Sequence, residues 1–251
     1  MNNRFFATLL ALNMALAALP ATATAGGRDI PGNEVTAPSD TENPDDTENP
    51  DDTEKPDDTE KPDDTEKPAP LPFTDVAADA WYHDEVQYVY EKGMMRGDGS
   101  PSRFNPNGTT TRGMIVTILY RLEGEPKAAP STFDDVESGK WYADAAAWAA
   151  ANGIVNGVGG NKFQPEGTIT RQDFATILHR YAGFKGLDVA QRANLSSYAD
   201  AGQVDAYALE AMQWAVKEGL IAGSYGLLDP AGSATRAQSA AILARFCERD
   251  A

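Results

Sequence analysis

Three arginines in this chain stand at the same offset from a proline. Arg112, Arg171 and Arg236 follow Pro106, Pro165 and Pro230 by six residues, and each is preceded by a threonine. In "TITRQDF" (168–174), Thr170 is a good helix N-cap, and Asp173 can reach back to close a capping box. The arginine then falls at the first helical position, where the helix macrodipole is positive and a cation is mildly unfavourable. An anion suits the same spot. A guanidinium holds a carboxylate through two parallel hydrogen bonds, and the open N–H groups of a helix N-terminus add donors. The alternative is a structural ion pair with Asp75, Asp135 or Asp200 of a neighbouring unit.

Two further sets of residues recur in step with the arginines. Trp81, Trp141 and Tyr207 correspond to one another, as do Asp75, Asp135 and Asp200. Indole and phenol faces suit the apolar faces of sugar rings, and packing into the core is the competing use of Trp81 and Trp141. The aspartates either join the anion site as ligands or cap the following helix and order its loop.

The elements that must carry these residues repeat about every 60 positions. The three units open with "FTDVAADAWY", "FDDVESGKWY" and "YADAGQVDAY". A helical pattern then runs to Gly93, Gly153 and Gly219, which open the turns "GMMRG", "GIVNG" and "GLIAG". Tyr88, Trp148 and Trp214 lie five residues before those glycines, on an apolar helix face, and read as core. Next come "FNP", "FQP" and "LDP", where proline prevents helix and holds an irregular strap. A second helix follows each arginine, with Ile115, Ile118, Leu119 and Leu122 at helical spacing in the first unit. The predicted fold is all-α, in tandem helix–turn–helix units over 71–128, 129–190 and 191–251. Two helices cannot bury both apolar faces alone, so the units are expected to pack into one helical body.

What precedes the repeats has a different character. Residues 1–25 have the layout of a secretory signal peptide: Arg4, an apolar run from Phe5, then small residues through Ala25. No second long apolar run follows, so membrane insertion is not expected after cleavage. Residues 26–70 read as a disordered acidic, proline-rich linker. Prolines recur every six residues from Pro44 to Pro68, and 40–68 hold fourteen acids and three lysines.

The net charge is −17, without a basic stripe, which argues against nucleic-acid partners. Cys247 is the single cysteine, so no intrachain disulfide can form, and it reads as a small buried residue on an apolar helix face. His83 and His179 occupy different positions within their units and make no repeated metal pair. No zincin, nucleophile-elbow or P-loop pattern occurs, and Pro101 and Arg103 spoil the faint calcium loop at 97–108. Neither an enzyme nor a cofactor is expected.

The landmarks F-x-D-V…W-Y, G-I-V-x-G, F-x-P and T-R, in this order and three times over, resemble the S-layer homology domain of bacterial cell-envelope proteins. The resemblance covers about residues 71–250. It implies a pseudo-threefold, three-pronged helical body whose grooves hold secondary cell-wall polysaccharide, often pyruvylated. It also implies secretion and non-covalent attachment at the cell wall. The family's binding arginine, in a T-R-A-E type motif, maps to Arg112, Arg171 and Arg236. Three departures stand out: Met114 cannot close a capping box, Gly113 weakens its helix start, and the third unit has Tyr207-Ala208 where W-Y is expected. The groove built chiefly from the third unit is therefore expected to be weak or purely structural. The alternative function is a protein-interaction or adaptor module of the envelope.

Overall fold

The computed structural model describes residues 70–249. The segments read as a signal peptide and acidic linker, up to residue 69, lie outside the described residues. Six α-helices form: α1 (His83–Glu91), α2 (Arg112–Leu122), α3 (Ala143–Ala151), α4 (Arg171–Phe184), α5 (Leu209–Lys217) and α6 (Arg236–Glu248). A short 3-10 turn at Ala201–Gln203 precedes α5, and no strand forms among the described residues. The protein is all-α, with two helices per unit.

The helix boundaries follow from local chemistry. The second helix of each unit begins at a threonine, whose hydroxyl accepts the backbone N–H of Met114, Asp173 or Gln238. The first helix of each unit ends at a glycine in the left-handed region, with φ of 68°, 69° and 71° at Gly93, Gly153 and Gly219. Gly93 N–H donates to Tyr90 and Met94 N–H to Val89, and the other two turns repeat both bonds. This pattern satisfies the last carbonyls and turns the chain back sharply, which only glycine does without strain.

Helices pair across unit boundaries. The second helix of one unit packs on the first helix of the next: α2 on α3, α4 on α5, and α6 back on α1. The junctions at the helix starts run round the same cycle. Arg112 and Gly113 donate their backbone N–H to Gly167 and Pro165 of the second unit. Arg171 and Gln172 do the same to Gly232 and Pro230 of the third, and Arg236 and Ala237 to Gly108 and Pro106 of the first. At the centre, Ile169 donates to Thr110, Ala234 to Ile169 and Thr110 to Ala234, at 2.9, 3.0 and 3.1 Å. These three residues are fully buried, so the ring replaces water for groups that would otherwise be unsatisfied. A closed cycle of equivalent contacts is the connectivity that threefold symmetry requires.

Each strap is anchored beneath by an aromatic or aliphatic side chain. Phe104, Phe163 and Leu228 are fully buried, and truncating either phenylalanine to alanine would cost about 3–5 kcal/mol. Trp148 and Trp214 are buried core residues and Tyr88 is half-buried, in keeping with their place on the apolar helix faces. Cys247 is half-buried on α6, its sulfur 3.9 Å from Met94 Sδ.

Candidate functional site

The residue before each strap proline has a positive φ: 59° at Asn105, 56° at Gln164 and 49° at Asp229. A non-glycine residue in that region costs about 1–3 kcal/mol unless its surroundings hold it there. The repeated aspartates do the holding. Asp75 accepts the backbone N–H of Phe104 and of Asn105, one on each oxygen, both at 2.8 Å. Asp135 takes Phe163 and Gln164 in the same way, and Asp200 takes Leu228 and Asp229. Burial alone would raise these carboxyls, yet the backbone donors hold all three below the usual aspartate value. Of the two roles open to Asp75, Asp135 and Asp200, the structure displays the loop-ordering one.

The same straps receive the repeated arginines from the unit before. Arg112 donates its Nε–H to the Phe163 carbonyl at 2.8 Å, Arg171 to Leu228 at 2.7 Å and Arg236 to Phe104 at 2.7 Å. Arg112 and Arg236 lie over the Phe163 and Phe104 rings, 5.1 and 4.7 Å from the centroids. Burial lowers the pKa of all three guanidiniums, which stay charged at any physiological pH. None of the three makes an ion pair with Asp75, Asp135 or Asp200. The Nε side of each guanidinium is thus spent on the fold, and each arginine lines a groove.

Three grooves result, each assembled from all three units. The groove of Arg171 is walled by the turn Leu220–Ser224 and by α6, with Trp81 of the first unit at its side. The groove of Arg236 takes the turn at Met94–Gly99, α2 and Trp141. The groove of Arg112 takes the turn at Val155–Val158, α4 and Tyr207. The three aromatic residues are 61%, 53% and 54% exposed at Trp81, Trp141 and Tyr207, so core packing is excluded for the tryptophans. Each leans edge-on against a neighbour where one is available: Trp81 on Tyr82 and Trp141 on Tyr142.

The grooves also hold residues that the sequence reading passed over. Arg121, Arg180 and Arg245 line the grooves of Arg236, Arg112 and Arg171, from the second helix of the next unit. Each stands nine residues after the arginine of its own unit, a regularity visible in the sequence once the second helices are aligned. The position two residues after each arginine is equally placed. Met114, Asp173 and Gln238 face the arginine of the preceding unit, and this corrects one expectation. Asp173 does not close a capping box with Thr170. Its carboxylate accepts Arg112 Nη1–H at 3.1 Å on one oxygen and the Tyr207 hydroxyl at 2.8 Å on the other. The capping box that does form belongs to the third unit, between Thr235 and Gln238.

A family model for the S-layer homology domain matches residues 72–113, 132–175 and 197–240. Each match ends just past a groove arginine. The chain belongs to the S-layer homology domain family. Among curated relatives of this S-layer homology chain, a surface-layer 125 kDa protein of Lysinibacillus sphaericus is 31% identical over 169 residues, 66% of this chain and 14% of the relative. An amylopullulanase of Thermoanaerobacterium thermosulfurigenes is 29% identical over 181 residues, 70% of this chain and 10% of its own length. The S-layer protein sap of Bacillus anthracis is 34% identical over 108 residues, 42% of this chain and 13% of its own. The matches cover only about a tenth to a seventh of these relatives' own lengths. Among the described residues, no cluster of metal-ligating side chains occurs and no helix is long and apolar enough to cross a membrane.

Proposed function

We propose that this protein attaches to the bacterial cell wall by binding secondary cell-wall polysaccharide, in its pyruvylated form, within the grooves between its S-layer homology units. Membership of the family puts the chain at the cell surface. The chemistry of the grooves supports the finer reading. A pyruvate ketal presents a carboxylate fixed to a sugar ring, so its receptor needs a bidentate cation and an apolar face a few ångströms away. The observation that carries the reading is the groove of Arg171. The Nη edge of that guanidinium has no hydrogen-bond partner among the described residues, and the exposed Trp81 indole borders the same space. Gln238 adds a neutral amide at the groove wall. The role is one of binding and display, with no chemical step. The amylopullulanase relative fits this view, because only a tenth of its length is shared.

The test is retention on cell-wall sacculi before and after chemical stripping of the secondary polymer. Retention that disappears on stripping supports the reading. Retention that survives stripping, or that is absent from both preparations, sinks it and returns the protein-interaction alternative.

A further inference from the structure

We propose that the three grooves are not equivalent: Asp173 closes the groove of Arg112 with an internal carboxylate, leaving two open sites, at Arg171 and Arg236. The inference rests on the glycan reading above and adds the number and identity of working sites. It starts from the residue that each groove sets against its arginine. In the groove of Arg171 that residue is Gln238, an amide whose oxygen is taken by the Thr235 backbone N–H at 3.0 Å. In the groove of Arg236 it is Met114, which carries no charge; Asp98 and Glu166 also line that groove and Asp200 and Asp229 line that of Arg171, but none of the four hydrogen-bonds the guanidinium. In the groove of Arg112 it is Asp173, and here a carboxylate already occupies the guanidinium.

The pair is joined by one hydrogen bond, from Arg112 Nη1 to a single oxygen of Asp173, and it places a negative charge where a ligand carboxylate would bring its own. Arg112 and Asp173 side chains are only 6% and 24% exposed, so the pair is poorly screened by water. The aromatic member of the groove is bound into it as well. Tyr207 donates its hydroxyl to the second oxygen of Asp173. Burial and the hydrogen bond to Asp173 both hold the Tyr207 proton in place, raising its pKa well above that of a free phenol. Two departures from the repeat, an acid in the second unit and a tyrosine in the third, thus meet in one groove and satisfy each other. An incoming ketal carboxylate would have to displace Asp173, strand it beside the ligand's own charge, and free Tyr207. A tethered carboxylate competes at high effective concentration, so the exchange is unfavourable. The other two grooves differ in what they leave open. Arg236 has Nε and Nη2 on backbone carbonyls and offers a ligand one hydrogen bond from Nη1, which has no partner among the described residues, where Arg171 offers its whole Nη edge.

Amide NMR titration of the full chain with a synthetic 4,6-pyruvate-ketal methyl hexoside tests the proposal. The indole N–H signals of Trp81 and Trp141 report on the open grooves, and the Val158 backbone N–H reports on the third. In the wild-type protein, Trp81 and Trp141 should shift and saturate while Val158 stays still, with two ligands bound. In Asp173→Asn, or in Asp173→Gln, which copies the third unit's Gln238, Val158 should join them and the count should rise to three. A wild-type Val158 that titrates alongside Trp81 overturns the proposal and leaves the glycan reading standing. So does a Val158 that stays silent in both folded variants. Silence at Trp81 and Trp141 in every protein overturns the glycan reading, and the proposal with it.

Discussion

Arg236 donates its Nε–H to the carbonyl of Phe104 at 2.7 Å, joining residues 132 positions apart in the chain. A second bond, from Nη2 to the Arg96 carbonyl, fixes the plane of the same guanidinium. Arg236 therefore closes the cycle of units from the third back to the first. Lysine keeps the charge and loses the fork. Arg236→Lys should lower stability by about 1–3 kcal/mol, the value of charged hydrogen bonds lost to buried carbonyls. Urea unfolding followed by circular dichroism measures this. An unchanged midpoint would mean that the contact contributes nothing to closure.

The four tryptophans divide cleanly, with Trp81 and Trp141 in the grooves and Trp148 and Trp214 in the core. Acrylamide should quench roughly half of the tryptophan emission, and the double variant Trp81→Phe, Trp141→Phe should remove the quenchable population. Neither substitution should change the stability by more than about 0.5 kcal/mol, because exposed positions rarely do. Sacculus affinity should fall about 3- to 10-fold for each single Trp→Ala change, in line with the value of aromatic contacts. Unfolding of Trp81→Ala would contradict the exposure seen here.

The repeat was legible because its landmarks are backbone demands. A threonine before a helix, a glycine after one and a proline in a strap are local requirements, read one unit at a time. The partners of those units were not legible. Nothing in the spacing of one unit says that α2 packs on α3 of the next, since an apolar face carries no address. Asp173 illustrates the cost. Sequence spacing offers it a capping box with Thr170, worth about 1 kcal/mol. In the folded chain it lies beside a buried cation from 61 residues away, which the spacing cannot reveal and which wins. The nine-residue echo of Arg121, Arg180 and Arg245 was in plain view, and only the grooves show its use.

The second glycine of the middle turn admits no side chain. Gly157 has φ of 76°, and a Cβ there would stand 2.6 Å from the Lys162 carbonyl oxygen and 2.9 Å from the Phe133 ring. Gly223 repeats the situation, with a Cβ 2.5 Å from the Leu227 carbonyl oxygen. Gly157→Ala should therefore cost about 1–3 kcal/mol from strain and displaced backbone together. Gly159→Ala, also at positive φ but facing open space, should cost less. Thermal melts of the two variants separate the contributions, and equal losses would assign all of the effect to φ.

The strap aspartates predict how the protein responds to acid. Burial acts to raise Asp75, Asp135 and Asp200, but two strap N–H donors on each carboxylate outweigh it and depress the folded-state pKa, helped by Arg103, Lys162 and Arg171 respectively. In the unfolded chain an aspartate titrates near 3.9. A depressed folded value means that the unfolded chain takes up protons first as the pH falls. The stabilisation is fully present above about pH 4 and is lost as the pH drops through the folded-state values. Urea midpoints should thus be flat with respect to these groups near neutrality and fall steeply below about pH 4. In Asp135→Asn one strap N–H faces an amide NH2 group. Stability at pH 7 should drop by about 1–3 kcal/mol and the acid slope should become shallower by the contribution of one group. If Asp135→Asn matches the wild-type midpoint at pH 7, the carboxylate does not hold the strap. Asp135 would then return to the grooves as a candidate ligand.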